Sequence, residues 1–155
     1  MKAAQLSKYD KNFKLDVNNV AIPTIKPNEV LVRVKMAAVN PLETLIGTGS
    51  IKLIQDYDMP VTMGNELTGI IENVGEAVAN FKKGDAIYTR LPSNKIGAFA
   101  EYVAIDSAAV ARLPKNLDFS TGAAAALTGL TAYQGLHEEL DAKSGETVFI
   151  PGGSG

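Results

Sequence analysis

The residues with the clearest chemical meaning are glycines near the end of the sequence. A glycine-rich run, Gly152-Gly153-Ser154-Gly155, follows a compact apolar segment at residues 147–150 that has the composition of a buried strand. Glycines in such a turn let the backbone approach a pyrophosphate closely, and this order of strand and turn opens a dinucleotide-binding fold. We therefore interpret these four residues as the start of a phosphate-binding turn. The alternative is a flexible tail, which would not require a buried strand before it.

Metal and thiol chemistry are limited by the composition of the chain. The sequence contains no cysteine and one histidine, His137. Disulfides, thiolate metal ligands and a thiol nucleophile are therefore excluded. Zinc requires about four good ligands, or three and a water molecule. We interpret His137 as a surface residue near the end of a helix, and we expect no metal site.

The elements that position these residues fall into two parts, of which the first is rich in strands. Residues 29–39 alternate with the period of a half-buried strand, since Val30, Val32, Val34 and Met36 are expected on one face. Further short strands are predicted at residues 1–6, 67–74, 86–89, 99–104 and 110–113. Many short strands with regular turn signals between them indicate a barrel or a sandwich.

The second part begins after Pro114 and is predicted to be helical. Ser120 is expected to cap a helix that contains the alanine run at residues 123–126. Gly129 is expected to interrupt this helix. A second helix is then predicted over residues 130–140, because its apolar residues recur at helical spacing.

The order of helix, strand and glycine-rich turn indicates the beginning of a nucleotide-binding domain. The helix and the ribose-binding residue that follow such a turn are absent from the sequence. A doubly wound sheet would need on the order of 100 further residues. We therefore expect a fragment of a two-domain protein, with one domain at residues 1–115 and the incomplete start of a second at residues 116–155.

Composition and charge exclude several classes of partner. The formal net charge is −2 and the lysines form no stripe, so that a nucleic-acid surface is not expected. The most apolar stretch, at residues 123–127, is far shorter than a membrane span. No hydrophobic signal segment opens the sequence. We expect a cytoplasmic protein that binds neither nucleic acid nor membrane.

Five motifs, taken in order, resemble the medium-chain dehydrogenase/reductase superfamily. They are AAVNPLETLIGTG, MGNELTGIIENVGEAVANFKKGDAIY, GAFAEYVAID, LPKNLDFSTGAAAALTGLTAYQGL and GETVFIPGGSG. Within that superfamily the sequence is most similar to the quinone oxidoreductases and zeta-crystallin. The resemblance implies a mainly β fold with α-helices, namely a GroES-like β-barrel followed by the first helices and strand of a truncated Rossmann domain. It also implies a catalytic cleft between the two domains.

The resemblance further implies a zinc-free member of the superfamily. Zinc-dependent members carry a cysteine at the position of Asn40 and a histidine-glutamate pair at the positions of Asn65 and Glu66. Without a metal as Lewis acid, the implied reaction is hydride transfer from NADP(H), or from NAD(H), to a small molecule activated by conjugation. Quinones are the expected acceptors, and α,β-unsaturated carbonyls or enoyl thioesters are the alternative. A non-catalytic cofactor-binding or crystallin-like structural protein is a second alternative, and a homo-oligomer is expected.

The resemblance also assigns roles to individual residues. It places Asn40 and Thr131 at the nicotinamide, as catalytic and cofactor-binding residues, and it assigns Gly152–Gly155 to the phosphates of the cofactor. From the residues alone, Asn40 is also explained by a turn and Thr131 by a helix cap. Glu43 and Glu66 lie in matching motifs, and either could face the cleft, but we interpret them as surface or salt-bridged structural residues.

One departure from the family pattern concerns the acceptor. Zeta-crystallin-like enzymes carry a tyrosine two residues after the acidic position of the first motif and an arginine two residues beyond it. This chain has Leu45 and Gly47 at those positions. A proton donor or a substrate-shaping aromatic ring is therefore missing. The departure favours smaller or more apolar acceptors and a proton supplied by solvent.

Overall fold

The computed structural model describes residues 1–153 of the chain. Within that range the strands are β1 (Lys2–Leu6), β2 (Leu15–Asn19), β3 (Glu29–Ala37), β4 (Val61–Thr62), β5 (Glu66–Val74), β6 (Ala86–Arg90), β7 (Tyr102–Asp106) and β8 (Ala111–Arg112). The helical elements are α1 (Pro41–Gly47), a 3₁₀ turn (Ser107–Ala109), α2 (Phe119–Tyr133) and a π-helical segment (Gln134–Glu139). The protein is mainly sheet with helices, which confirms the predicted fold class.

The larger sheet has five antiparallel strands in the order β7-β3-β5-β6-β8. Side chains from one face of its central strands form the main core. Val30 and Val32 of β3 and Leu67 and Ile71 of β5 are each 0% exposed. The spacing of these residues confirms the predicted alternation in the first half of β3. Met36, expected on the same face, is 49% exposed, since the register of β3 shifts between Val34 and Met36.

The smaller sheet has three strands in the order β2-β1-β4 and is bonded to the larger sheet through the short segment before β7. In that segment the carbonyl of Phe99 accepts a hydrogen bond from the Ala4 N–H at 2.8 Å, and the Glu101 N–H donates to the carbonyl of Lys2 at 3.1 Å. The carbonyl of Glu101 also accepts from the Val34 N–H of β3 at 3.0 Å. The two sheets therefore form one continuous strand-rich body.

Helix α2 differs from the predicted helices at both ends. Its N-cap is Asp118, whose Oδ1 accepts a hydrogen bond from the Thr121 N–H at 2.7 Å. The prediction that Ser120 caps the helix is wrong. The Asp118 carboxylate accepts from the free N–H groups at the helix start, and its negative charge also interacts favourably with the positive end of the helix dipole. The helix continues through Gly129, since one interior glycine costs only about 1 kcal/mol relative to alanine. The predicted second helix is a π-helical continuation of α2.

The face of α2 that lies against β5 is built from small residues. Gly122, Ala123 and Ala126 are buried there, and a Cβ on Gly122 would lie only 2.9 Å from Cγ2 of Thr68. The hydroxyl of Thr68 donates to the carbonyl of Phe119 at 2.7 Å, and this bond ties the first turn of α2 to the sheet. Neither α2 nor any other helix in residues 1–153 is both long and apolar enough to cross a membrane.

The strand predicted at residues 147–150 does not form, and that prediction is wrong. These residues have no strand assignment, and Phe149 is 87% exposed. A strand is stable only when its backbone N–H and C=O groups pair with a neighbouring strand. No strand in the described part of the chain pairs with this segment. Apolar composition alone therefore does not make this segment a strand in residues 1–153.

Glu29, at the start of β3, is a buried carboxylate whose charge is balanced by a lysine. It is 5% exposed, its Oε1 lies 2.6 Å from Nζ of Lys95, and its Oε2 accepts from the Lys26 N–H at 2.9 Å. The hydrogen bond from Lys95 lowers the pKa of Glu29, and burial opposes this shift. Because the pKa is lowered on folding, the pair stabilises the protein above the ordinary carboxyl pKa, and this contribution is lost as the pH falls through the lowered pKa.

We therefore expect Glu29→Gln to lower the free energy of unfolding at pH 7 by about 1 kcal/mol, a modest value because water screens the exposed lysine. The loss should be much smaller at a second pH below the lowered pKa, where the wild-type carboxyl also takes up a proton. Urea denaturation at the two pH values measures the difference, with the exposed Glu76→Gln as the control. Equal losses at both pH values would assign the effect to packing.

Candidate active site

Asn40 lies at the junction of β3 and α1, where it is the N-cap of the helix. Its backbone is extended, with φ −119° and ψ 162°, and Pro41 follows in the first helical position, where its missing N–H costs nothing. The side chain of Glu43 reaches back, and its Oε2 accepts from the Asn40 N–H at 2.6 Å. The Glu43 N–H donates to the backbone carbonyl of Asn40 at 3.1 Å, and the Asn40 side chain makes no capping hydrogen bond of its own. The Asn-Pro sequence thus begins a helix and does not form an isolated turn.

Glu43 also connects α1 to the segment that enters β5. Its carboxylate is 4% exposed, and its Oε1 accepts from the backbone N–H of Asn65 at 3.2 Å and from Asn65 Nδ2 at 2.7 Å. The three bonds to one carboxylate fix the backbones of Asn40 and Asn65 relative to each other. The interpretation of Glu43 as a surface or salt-bridged residue is therefore wrong, because N–H donors satisfy its charge.

Glu66 is the first residue of β5 and makes the contact between Asn40 and helix α2. It is 0% exposed. Its Oε1 accepts from Asn40 Nδ2 at 2.7 Å, and its Oε2 accepts from the Leu127 N–H at 2.5 Å. Like Glu43, it is buried among N–H donors and does not have the surface position expected from the sequence. The carboxylate joins the β3–α1 junction, the sheet and the middle of α2.

Thr131 lies one helical turn after Leu127 on α2. Its hydroxyl donates to the carbonyl of Leu127 at 2.9 Å, and its side chain is exposed. It is an interior residue of the helix, so that the cap considered from its sequence position does not apply. Asn40 and Thr131 are thus connected through two intermediates, Glu66 and Leu127. We call these four residues, with Glu43 and Asn65, the Asn40 network.

Comparison with known proteins identifies the family of this fold. Residues 26–115 match the alcohol dehydrogenase GroES-like domain. The chain belongs to this GroES-like family. The match confirms the resemblance to the medium-chain dehydrogenases and reductases found in the sequence.

Curated relatives of this GroES-like chain include reductases from animals and plants. The chain is 37% identical to a quinone oxidoreductase of Lama guanicoe, over 100% of this chain and 46% of that protein. It is 35% identical to a 2-methylene-furan-3-one reductase of Solanum lycopersicum, over 89% of this chain and 37% of that protein. The chain therefore spans less than half the length of these relatives.

Solved structures share the GroES-like fold along most of the chain. An alcohol dehydrogenase superfamily protein from Novosphingobium aromaticivorans superposes with a TM-score of 0.91 at 28% identity, over 100% of this chain and 47% of that chain. The Escherichia coli quinone oxidoreductase complexed with NADPH gives a TM-score of 0.80 at 26% identity, over 90% of this chain and 41% of that chain.

The two departures from the family pattern lie on α1 of this GroES-like domain. Leu45 has an aliphatic side chain where the zeta-crystallin-like pattern has a tyrosine, and it is 43% exposed. Gly47 is buried, and a Cβ there would lie 2.6 Å from ring carbons of Phe13. The ring of Phe13 fills the space that a side chain at position 47 would enter. At the position where the family pattern has an arginine, this chain therefore has a glycine with the ring of Phe13 packed against it.

The predicted phosphate-binding turn is only partly described by the structure. Gly152 has a φ of +70°, which glycine adopts readily, and both Gly152 and Gly153 are exposed. Ser154 and Gly155 lie outside the described residues. The turn follows a segment that forms no strand, so that nothing in residues 1–153 holds it in the position of a phosphate-binding loop. His137 is exposed and packs on the ring of Tyr133, with a centroid distance of 4.7 Å, in agreement with its interpretation as a surface residue.

A groove of about 610 Å³ lies between α2 and the edge of the larger sheet. Val110, Leu117 and Ala126 contribute to its apolar lining, and Arg90 and Tyr133 also line it. None of the residues of the Asn40 network lines this groove. Its existence was not predicted, because it depends on how α2 is placed across the sheet.

Proposed function

We propose that the chain is the substrate-side part of a metal-independent NAD(P)H-dependent oxidoreductase that transfers a hydride to quinones. The observation that carries this proposal is the Asn40 network, in which a half-buried amide is held by a buried carboxylate next to α2. The chain is 37% identical to a quinone oxidoreductase over its entire length, and this similarity supports the reaction class. An amide held by fixed partners is suited to bind the polar groups of a cofactor, because no reorientation is needed on binding.

The residues at the positions of the zinc ligands do not suit a catalytic zinc. Asn40 and Asn65 offer neither thiolate nor imidazole, and both oxygens of Glu66 already accept N–H groups. The one histidine of the chain, His137, lies on the π-helical segment after α2. We therefore propose chemistry without a Lewis acid, in which conjugation in the acceptor stabilises the anion that forms.

The residues of the Asn40 network suit a nicotinamide cofactor, with NADP(H) preferred and NAD(H) as the alternative. A bound nicotinamide supplies the hydride. We propose that Asn40 holds the carboxamide or the adjoining ribose and that Thr131 contacts the same region from α2. The E. coli quinone oxidoreductase, whose structure contains NADPH, supports the choice of cofactor, since its fold matches 90% of this chain.

We propose that residues 1–115 form the GroES-like domain and that residues 116–155 begin a nucleotide-binding domain. The family match ends at residue 115, which supports this boundary. In this proposal Gly152, Gly153, Ser154 and Gly155 belong to the phosphate-binding turn. Because the 155 residues span less than half the length of the relatives, we expect them alone to have negligible activity.

Reduction of the carbon–carbon double bond in α,β-unsaturated carbonyls is the second candidate. Two observations favour it: the 35% identity to a 2-methylene-furan-3-one reductase and the aliphatic Leu45 at the position of the tyrosine. A site without that aromatic ring suits a smaller and less planar acceptor than a quinone. In both cases the enzyme contributes orientation and a dry cleft, and solvent supplies the proton.

One assay separates the two candidates. The protein expressed from its full reading frame is assayed for NADPH oxidation with an ortho-quinone and with a 2-alkenal, before and after treatment with a chelator. We expect turnover of the quinone that the chelator does not change. Turnover of the alkenal alone would establish the second candidate, and alcohol oxidation that depends on added zinc would contradict both. The homo-oligomeric state and the cytoplasmic location expected from the sequence stay predictions.

A further inference from the structure

Glu66 is a buried carboxylate that contacts both parts of the candidate site. It accepts one hydrogen bond from the Asn40 side chain and one from the Leu127 backbone, with a different oxygen for each. Within residues 1–153 no lysine, arginine or histidine forms an ion pair with it. A buried charge without a cation is costly unless N–H donors satisfy it. The two donors are therefore necessary partners of this carboxylate.

We propose that Glu66 is a positioning residue that fixes the orientation of the Asn40 amide toward the nicotinamide. This inference rests on the proposed function, in which Asn40 contacts the cofactor. An asparagine amide has a donor end and an acceptor end, and a half-turn about its last side-chain bond exchanges them. An ionised carboxylate only accepts hydrogen bonds, so that Glu66 selects the orientation with Nδ2 turned toward it. The cofactor then meets one fixed arrangement of the second Nδ2 hydrogen and the remaining acceptor capacity of Oδ1.

The role of Glu66 is separate from that of Glu43. Glu43 bonds the backbone N–H of Asn40 and so fixes where the residue lies. Glu66 bonds its side-chain amide and so fixes how the amide is turned. Because the same carboxylate bonds Leu127, the orientation of the amide is also tied to the position of α2, which carries Thr131. Asn40 and Thr131, the two residues predicted to contact the cofactor, are therefore fixed relative to each other.

The direct test is Glu66→Gln in the protein expressed from its full reading frame. Glutamine keeps the size of the side chain, but Asn40 and Leu127 bond different oxygens of Glu66, so that one of these donors would face the NH2 group of glutamine. We expect KM for NADPH to rise about tenfold, with a smaller change in kcat. In the background of Asn40→Ala the same substitution should add less than about twofold, because its effect passes through the missing amide. Equal effects in both backgrounds would overturn the inference.

Thr68→Val is the matched control, because Thr68 lies on the same face of β5 as Glu66 and its hydroxyl bonds only to α2. Its hydroxyl donates to the Phe119 carbonyl and makes no bond to the Asn40 network. We expect this variant to lower Tm and to leave KM for NADPH within about twofold of the wild type. If it raised KM as much as Glu66→Gln does, attachment of the helix would account for both results, and the positioning role would be wrong.

A measurement that needs no activity separates this inference from the proposed function. In the 155-residue chain, the side-chain amide resonances of Asn40 in a ¹⁵N-labelled sample should shift in Glu66→Gln and not in Thr68→Val. Unchanged resonances would overturn the positioning role, whatever the activity. A wild-type protein that does not bind NADPH, with resonances that shift as expected, would overturn the proposed function alone.

If Glu66→Gln does not fold, Asn40→Asp tests the same contact from the other side. The two facing carboxylates repel each other at pH 8 and can share a proton at lower pH. We expect KM for NADPH in this variant to fall toward that of the wild type as the pH is lowered. A ratio of the two KM values that does not change with pH would contradict the contact.

Discussion

Replacing Asn40 by alanine is expected to lower kcat/KM for NADPH by about 10- to 100-fold, the value that corresponds to the loss of one or two hydrogen bonds to a ligand in a desolvated site. The substitution removes the amide that we propose to hold the nicotinamide. It also leaves Oε1 of the buried Glu66 without its donor. Steady-state assays with the protein expressed from its full reading frame measure the change, with NADPH varied at saturating quinone.

We expect cofactor binding to weaken and, because Oε1 of the buried Glu66 loses its donor, the free energy of unfolding to fall as well, by about 1–3 kcal/mol. Asn40 N–H still donates to Glu43 in the alanine variant, so that the start of α1 keeps its backbone contact. Asn94→Ala, on an exposed turn, is the control for the removal of an asparagine side chain. A kcat/KM for NADPH within twofold of the wild type, measured on folded protein, would remove Asn40 from the site.

The sequence led to Asn40 but not to the residues that hold it. Asn40 was found because it replaces a cysteine in a motif of known pattern. Glu43 and Glu66 lie in the same motifs, yet acidic residues are almost always exposed or paired with a cation, and that general tendency misplaced both. Their burial depends on N–H donors from Asn65 and Leu127, 22 and 61 residues away in the chain. Contacts between residues this far apart cannot be inferred from local spacing.

Among the predicted strands, β3 and β6 each have one face that is more buried than the other. Residues 29–39 show this alternation, and β3 was found within two residues of its end. Strand β2 was missed although Leu15 and Val17 alternate with polar residues, and four of its five residues are exposed. The failure at residues 147–150 has the opposite cause, since the composition of a buried strand is present but no neighbouring strand pairs with it. Local composition predicts burial, and tertiary partners decide whether a strand forms.

The largest effect on stability is expected at Gly75, where β5 ends against the turn that leads into β3. A Cβ at this position would lie 2.3 Å from the carbonyl oxygen of Pro27 and 2.4 Å from that of Lys26. Neither oxygen can move freely. The Pro27 carbonyl accepts from the Ala77 N–H at 2.9 Å, and the Lys26 carbonyl accepts from the Glu29 N–H at 3.0 Å. Relief of the clash would therefore break the hydrogen bonds of the turn.

We expect Gly75→Ala to lower the free energy of unfolding by about 3 kcal/mol, near the upper end for single substitutions. For a chain of 155 residues this corresponds to a fall in Tm of roughly 6–12 °C. Gly129→Ala is the matched control, because a Cβ there meets no atom within 4 Å and the residue lies inside α2. Alanine favours the helix, so that this control should raise the free energy of unfolding by about 0.5–1 kcal/mol. Urea denaturation of the two variants should therefore move in opposite directions, and a Gly75→Ala protein as stable as the wild type would show that the turn before β3 can open without cost to the sheet.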